Sequence, residues 1–114
     1  MTEPAVLVFA YHDVGYVCLE ELIRRGARIV ALVTHEDDPQ ERRWFRSVAE
    51  LAARHHIPVY KPASVNNEEW LLHARALQPD IIFSFYYRHL IPEAILRLPH
   101  LGAFNMHGSL LPKF

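Results

Sequence analysis

An open, doubly wound parallel α/β sheet is the fold class this sequence predicts, and three observations predict it. Four short runs, Ala5–Ala10, Ile29–Thr34, Asp80–Phe85 and Gly102–His107, are apolar without alternation, as strands covered on both faces require. Helical patterns separate them, giving a β-α-β order that favours parallel pairing. No repeat, low-complexity tract or linker interrupts the series, so the 114 residues form one domain or a piece of one.

The elements follow in order. After the first strand, Val17, Leu19, Leu22 and Ile23 mark the apolar side of a helix. It closes at Gly26, with Arg24 and Arg25 in the last turn, where cations meet the negative end of the helix dipole. A second helix is expected from about Pro39 to His55, with Phe45, Val48, Leu51 and Ala52 as its stripe. Ile57–Tyr60, next to Pro58 and Pro62, reads as a weaker fifth strand. Glu68–Leu77 is a third helix, and a short fourth follows Pro92. The whole is Rossmann-like in its alternation.

Composition excludes several functions. Hydrophobic residues make up 51% and the net charge is −1, so a packed core is expected and no long-range pull towards nucleic acid or an anionic membrane. Arg42, Arg43 and Arg46 lie among Glu36, Asp37, Asp38 and Glu41, which reads as a solvated helix face. The one cysteine, Cys18, permits no internal disulfide and reads as a small buried hydrophobe. With neither a signal-peptide layout nor a membrane-length apolar run, a cytoplasmic protein is expected. Eight histidines are present, yet none forms a His-x-x-x-His helix pair or has a cysteine at ligand spacing, so no metal site is expected.

The turn after the first strand, Tyr11-His12-Asp13-Val14-Gly15, has one glycine where a dinucleotide pyrophosphate needs three. Sheets of this class bind ligands beyond the carboxyl ends of their strands. Three segments should converge there: Tyr11–Gly15, Phe85–Pro92 and Asn105–Pro112.

The stretch Phe104-Asn105-Met106-His107-Gly108-Ser109-Leu110-Leu111-Pro112 resembles the Asn-x-His-x-Ser-Leu-Leu-Pro signature of the 10-formyltetrahydrofolate-dependent formyltransferases. Within that family it is most similar to the formyltransferase domain of the bifunctional UDP-4-amino-4-deoxy-L-arabinose formyltransferase/UDP-glucuronate decarboxylase enzymes of lipid A modification. Val8–Asp13, Thr34–Pro39, Ile57–Tyr60 and Ser84–Ile91 also carry that likeness. Methionyl-tRNA formyltransferases usually have Gly-Thr-Pro and Ala-Tyr-Gly where this chain has Tyr-His-Asp and Phe-Tyr-Tyr-Arg. The resemblance implies a formyltransferase fold, C-terminally truncated, with residues 1–114 the N-terminal part of a domain of about 200 residues.

The resemblance also implies roles. Asn105 would stabilise the transition state and His107 would act as general acid/base. His89, Leu90 and Ile91 would line the site of 10-formyltetrahydrofolate, the formyl donor, and no metal is needed. The chemistry suits these residue types. Formyl transfer to an amine develops an oxyanion that an amide donor can stabilise, and an imidazole titrating near neutrality can carry the proton. In an extended segment Asn105 and His107 share a face, leaving Phe104 and Met106 to point into packing. Taken singly, an Asn or His at a strand end is ordinarily a satisfied polar residue; the whole string carries the assignment. Gly108 is expected to relax the turn and Pro112 to hold Leu111 extended. Tyr86, Tyr87 and Arg88 serve either the pterin or local packing, and Tyr11, His12 and Asp13 are rim candidates for the sugar nucleotide.

The expected partners are a UDP-amino-sugar substrate, the remainder of the domain and a fused decarboxylase domain. An oligomer is compatible, and neither nucleic acid nor a membrane is expected. The family's third catalytic residue, an Asp beyond the His, and an Arg-Gly pair after the Leu-Leu-Pro turn fall outside residues 1–114. The segment is therefore expected to have little activity alone, with its last strand at a sheet edge. The alternatives are a formyltransferase for another amino-sugar nucleotide or for methionyl-tRNA, a non-catalytic folate- or nucleotide-binding module, and an incomplete product without function.

Overall fold

A computed structural model of the protein describes residues 3–36 and 46–106. Nine elements run β1 (Ala5–Ala10), α1 (His12–Arg24), β2 (Arg28–Val33), α2 (Val48–Arg54), β3 (Val59–Tyr60), α3 (Glu68–Leu77), β4 (Ile81–Phe85), α4 (Glu93–Leu96) and β5 (Ala103–Met106). The strands form one sheet in the order β3-β2-β1-β4-β5, every neighbouring pair parallel. Growth reverses direction at β1, where the chain crosses from β3 to β4. This is the doubly wound class expected from the uninterrupted apolar runs.

Two apolar layers cover the sheet. On one face Val6, Val8 and Ala10 of β1 pack with Tyr16 and Leu19 of α1 and with Val48, Leu51 and Ala52 of α2. On the other, Leu7 and Phe9 pack with Ala74 of α3 and Ile95 of α4. A register shift between β1 and β2 pairs Val6 with Ile29 but Leu7 with Ala31. The extra residue, Val30, interrupts the alternation, so that Ile29 joins the first layer and Ala31, two residues on, the second. All six residues of β1 are buried, and each large apolar side chain so placed contributes about 1.5–3 kcal/mol.

Local signals set the helix ends. Gly26, at φ +77°, ends α1 in a Schellman arrangement, with Gly26 N–H donating to the Ile23 carbonyl and Ala27 N–H to that of Leu22, both at 3.0 Å. The Asn67 side chain caps α3 by accepting from Trp70 N–H at 2.8 Å. Ser47 does the same for α2, accepting from Glu50 N–H at 3.2 Å.

That cap corrects the second helix, expected from Pro39. Ser47 is extended and Arg46 is not helical, so the helix starts at Val48; residues 37–45, including Phe45, Arg42 and Arg43, lie outside the described residues. Arg46 therefore does not sit on a helix face: its amide donates to Asp13 Oδ1 at 2.9 Å and its guanidinium covers the Tyr16 ring at 4.2 Å. Val17 is 52% exposed rather than part of the α1 stripe, which runs through Gly15, Tyr16 and Leu19. Cys18 is half-buried, its Sγ 3.8 Å from Met106 Sδ, and burial raises its thiol pKa.

Candidate active site

Strand order reverses between the carboxyl ends of β1 and β4, the general ligand position of open α/β sheets. The chain leaves each strand sharply there. Tyr11 N–H donates to the Phe85 carbonyl at 3.1 Å, and Tyr86 N–H to that of Met106 at 2.8 Å. His12 and Tyr86 follow directly, both left-handed at φ +67° and +62°, with ring centroids 4.9 Å apart. Each such non-glycine conformation costs about 1 kcal/mol, a strain that clusters at functional sites. Tyr11 is the extended residue before α1, and His12, Asp13 and Gly15 belong to its first turn rather than to an open loop. A Cβ on Gly15 would lie 3.1 Å from both the Ala10 Cβ and the Phe85 carbonyl oxygen. The lone glycine thus serves close helix-to-sheet packing and not a pyrophosphate.

Beside this switch point lies a cavity of about 380 Å³, lined by Ser84, Tyr87, His89, Leu90, Ile91, Leu96, Ala103, Phe104 and Asn105. Its floor is the β4–β5 ladder. Ser84 and Asn105 are register partners, two polar side chains adjacent on one face of an otherwise apolar surface. Its wall is the segment between β4 and α4, where Leu90 is 92% exposed at the rim. A largely apolar hollow with a few convergent polar groups suits a small organic ligand.

The wall is braced from β2. The His35 ring stacks on Tyr87 at 4.3 Å with 13° between planes, and meets His89 edge-on at 4.6 Å. Its Nε2 accepts the Arg88 backbone N–H at 3.0 Å. Burial first, then the neighbouring His89 and Arg88, push its pKa down to about 4, so the ring is neutral at pH 7 with its proton on Nδ1. Tyr87 also rests edge-on against Phe9 at 5.3 Å. Burial pushes its hydroxyl up to about 12, keeping it a neutral phenol.

Of the residues singled out in the sequence, Asn105, His89, Leu90 and Ile91 come together in this cavity. His107 and Gly108–Phe114 lie outside the described residues. Phe104 and Met106 do not point into packing; they are 44% and 46% exposed. On the face they occupy, α1 and α2 cover the inner strands, while β5 lies at the sheet edge among the described residues. There Phe104 meets the flank of Phe83, at 5.9 Å between centroids, and Met106 meets Cys18. Tyr11, a rim candidate, is 2% exposed and packs edge-on to His35 at 5.0 Å.

Sequence reasoning gave no role to Ser84 or His35. A lone polar residue inside the run Ile81-Ile82-Phe83-Ser84-Phe85 was the available signal for the first. The second had none, since its partner is 53 residues away. Among the described residues no three His, Cys, Asp or Glu side chains form a group able to hold a metal ion. No helix there is long and apolar enough to cross a membrane.

The architecture is that of a doubly wound α/β protein with a candidate small-molecule cavity beside the switch of strand order. Comparison with known proteins makes this specific: residues 5–114 match the Formyl transferase family model, and the chain belongs to that family. It is 49% identical over 110 residues to the Bifunctional polymyxin resistance protein ArnA of Wigglesworthia glossinidia brevipalpis, covering 96% of this chain and 17% of that protein. Among solved structures, glycinamide ribonucleotide transformylase 1 from Symbiobacterium toebii superposes with a TM-score of 0.66 at 18% identity, covering 98% of this chain and 55% of that one. Phosphoribosylglycinamide formyltransferase from Streptococcus pneumoniae gives 0.66 at 16% identity, covering 97% and 60%. The fold is therefore the formyltransferase fold, and the chain spans a little over half the length of these solved structures.

Proposed function

We propose that the formyltransferase domain to which residues 1–114 belong transfers a formyl group from 10-formyltetrahydrofolate to the 4-amine of UDP-4-amino-4-deoxy-L-arabinose, with little activity in residues 1–114 alone. The observation that carries this reading is the cavity that unites Asn105 with His89, Leu90 and Ile91. Family membership and the 49% identity to a polymyxin resistance protein support it. The folate supplies the formyl carbon. Ser84, Ala103 and the His89–Ile91 wall form a surface for its ring system, and Leu90 at the rim is available to close over it.

In this reading the Asn105 amide donates to the oxygen of the formyl group as negative charge grows there. A preorganised donor of this kind is worth about 3–4 kcal/mol of barrier. As the new C–N bond forms, the amine loses a proton and the departing folate nitrogen gains one. His107, two residues on, is the imidazole assigned to that transfer. The sugar nucleotide would approach from the switch point edged by His12 and Tyr86.

The test is release of tetrahydrofolate by the complete domain in the presence of UDP-4-amino-4-deoxy-L-arabinose, other amino-sugar nucleotides and methionyl-tRNA. Turnover with the first amine supports the proposal. Turnover confined to another amine overturns the substrate, and binding of folate without turnover on any amine overturns the activity.

A further inference from the structure

We infer that His35 is a positioning residue for this site: its imidazole holds the Tyr87–His89 backbone in the conformation that presents Leu90 and Ile91 to the cavity. The inference rests on the folate reading of that cavity and deepens it, by naming what shapes the wall.

Three successive residues are gripped by one ring in three different ways. Tyr87 is stacked, Arg88 is bonded through its backbone N–H, and His89 is met edge-on. Arg88 lies three residues beyond the end of β4, where the sheet no longer offers a ladder acceptor; His35 Nε2 supplies one from the end of β2. The ring is itself held from β1, edge-on to Tyr11, and the Arg88 guanidinium covers the Tyr11 ring at 4.7 Å. His35 thus ties the carboxyl ends of β1 and β2 to the segment after β4 that walls the cavity. Only a neutral imidazole can accept this bond, and the depressed pKa keeps it neutral throughout the neutral range.

Two variants separate bonding from space-filling. His35→Phe keeps a ring against Tyr87 but removes the acceptor, whereas His35→Gln offers an amide oxygen close to the position of Nε2. Exchange of the Arg88 amide and the Kd of 5-formyltetrahydrofolate are measured for each. In H35F the amide should exchange about tenfold faster and the Kd weaken about fivefold, the scale of one lost hydrogen bond. H35Q should recover most of both, and kcat at saturating donor should move less than about twofold in either. If H35F matches the unaltered protein, or H35Q is as impaired as H35F, the inference is overturned. Nitrogen NMR of the unaltered protein at pH 7 checks it without a variant: a proton on His35 Nε2 would overturn it too. Failure of the unaltered protein to bind 5-formyltetrahydrofolate sinks the folate reading instead, while Arg88 exchange still decides whether His35 holds the segment.

Discussion

β1 and β5 belong to one sheet and do opposite work. β1 is buried along its whole length, with helices on both faces. β5 alternates between half-buried and exposed, and pairs on one side only among the described residues. The central strand holds the fold together and bears no chemistry-carrying side chain of its own. The edge strand adds less to stability and carries Asn105 at the cavity floor. Chemistry needs a polar group that reaches a ligand, and the strand at the centre of the sheet has no room for one.

Substitutions at the two strands should therefore separate stability from activity. The largest expected effect is at the centre: Phe9→Ala removes a fully buried ring that supports Tyr87 and should cost about 3–5 kcal/mol in denaturant unfolding. In the complete domain Asn105→Ala should lower turnover about 10²–10³-fold while leaving the unfolding midpoint nearly unchanged. A loss of stability comparable to that of Phe9→Ala would break the comparison. Gly15→Ala, where α1 meets β1 and β4, should cost about 1–3 kcal/mol through overpacking.

A pH effect of about 1 kcal/mol comes next. His35 titrates at about 4 in the folded chain and near 6.5 unfolded. Between those values the unfolded state binds the extra proton, so stability falls as pH drops from 6.5 towards 4 and this contribution levels off below. The group is half-buried, so solvent screening trims the figure to that size. The drop should be missing from the stability profile of His35→Phe. Phe104→Ser, on the edge strand, should have the smallest effect, within about 0.5 kcal/mol.

Much of this contrast was legible in the sequence. Continuous apolar runs marked the inner strands, and Gly26 and the Glu68 start of α3 set helix limits that the structure reproduces. Asn105 and the His89–Ile91 segment could be placed at one end of the sheet because parallel topology sends every strand-to-helix turn to that end. The rest depended on position within the sheet. Alternation tells which residues share a face but not whether a helix covers it, so Phe104 and Met106 were expected inside and lie half outside. Ser47 capping shortened a helix that hydrophobic spacing alone extended. The His35–Arg88 bond and the Ser84–Asn105 pairing join distant segments, and no local pattern encodes either.

In the proposed function the folate donor occupies the cavity between the β4–β5 ladder and the His89–Ile91 wall. The most direct test of that placement is titration of the protein with 5-formyltetrahydrofolate, followed through backbone amide resonances. Saturable shifts should concentrate at Ser84, His89, Leu90, Ile91 and Asn105. Shifts concentrated instead at the opposite end of the sheet, around Arg75, Gln78 and His100, or no saturable shifts at all, would contradict it.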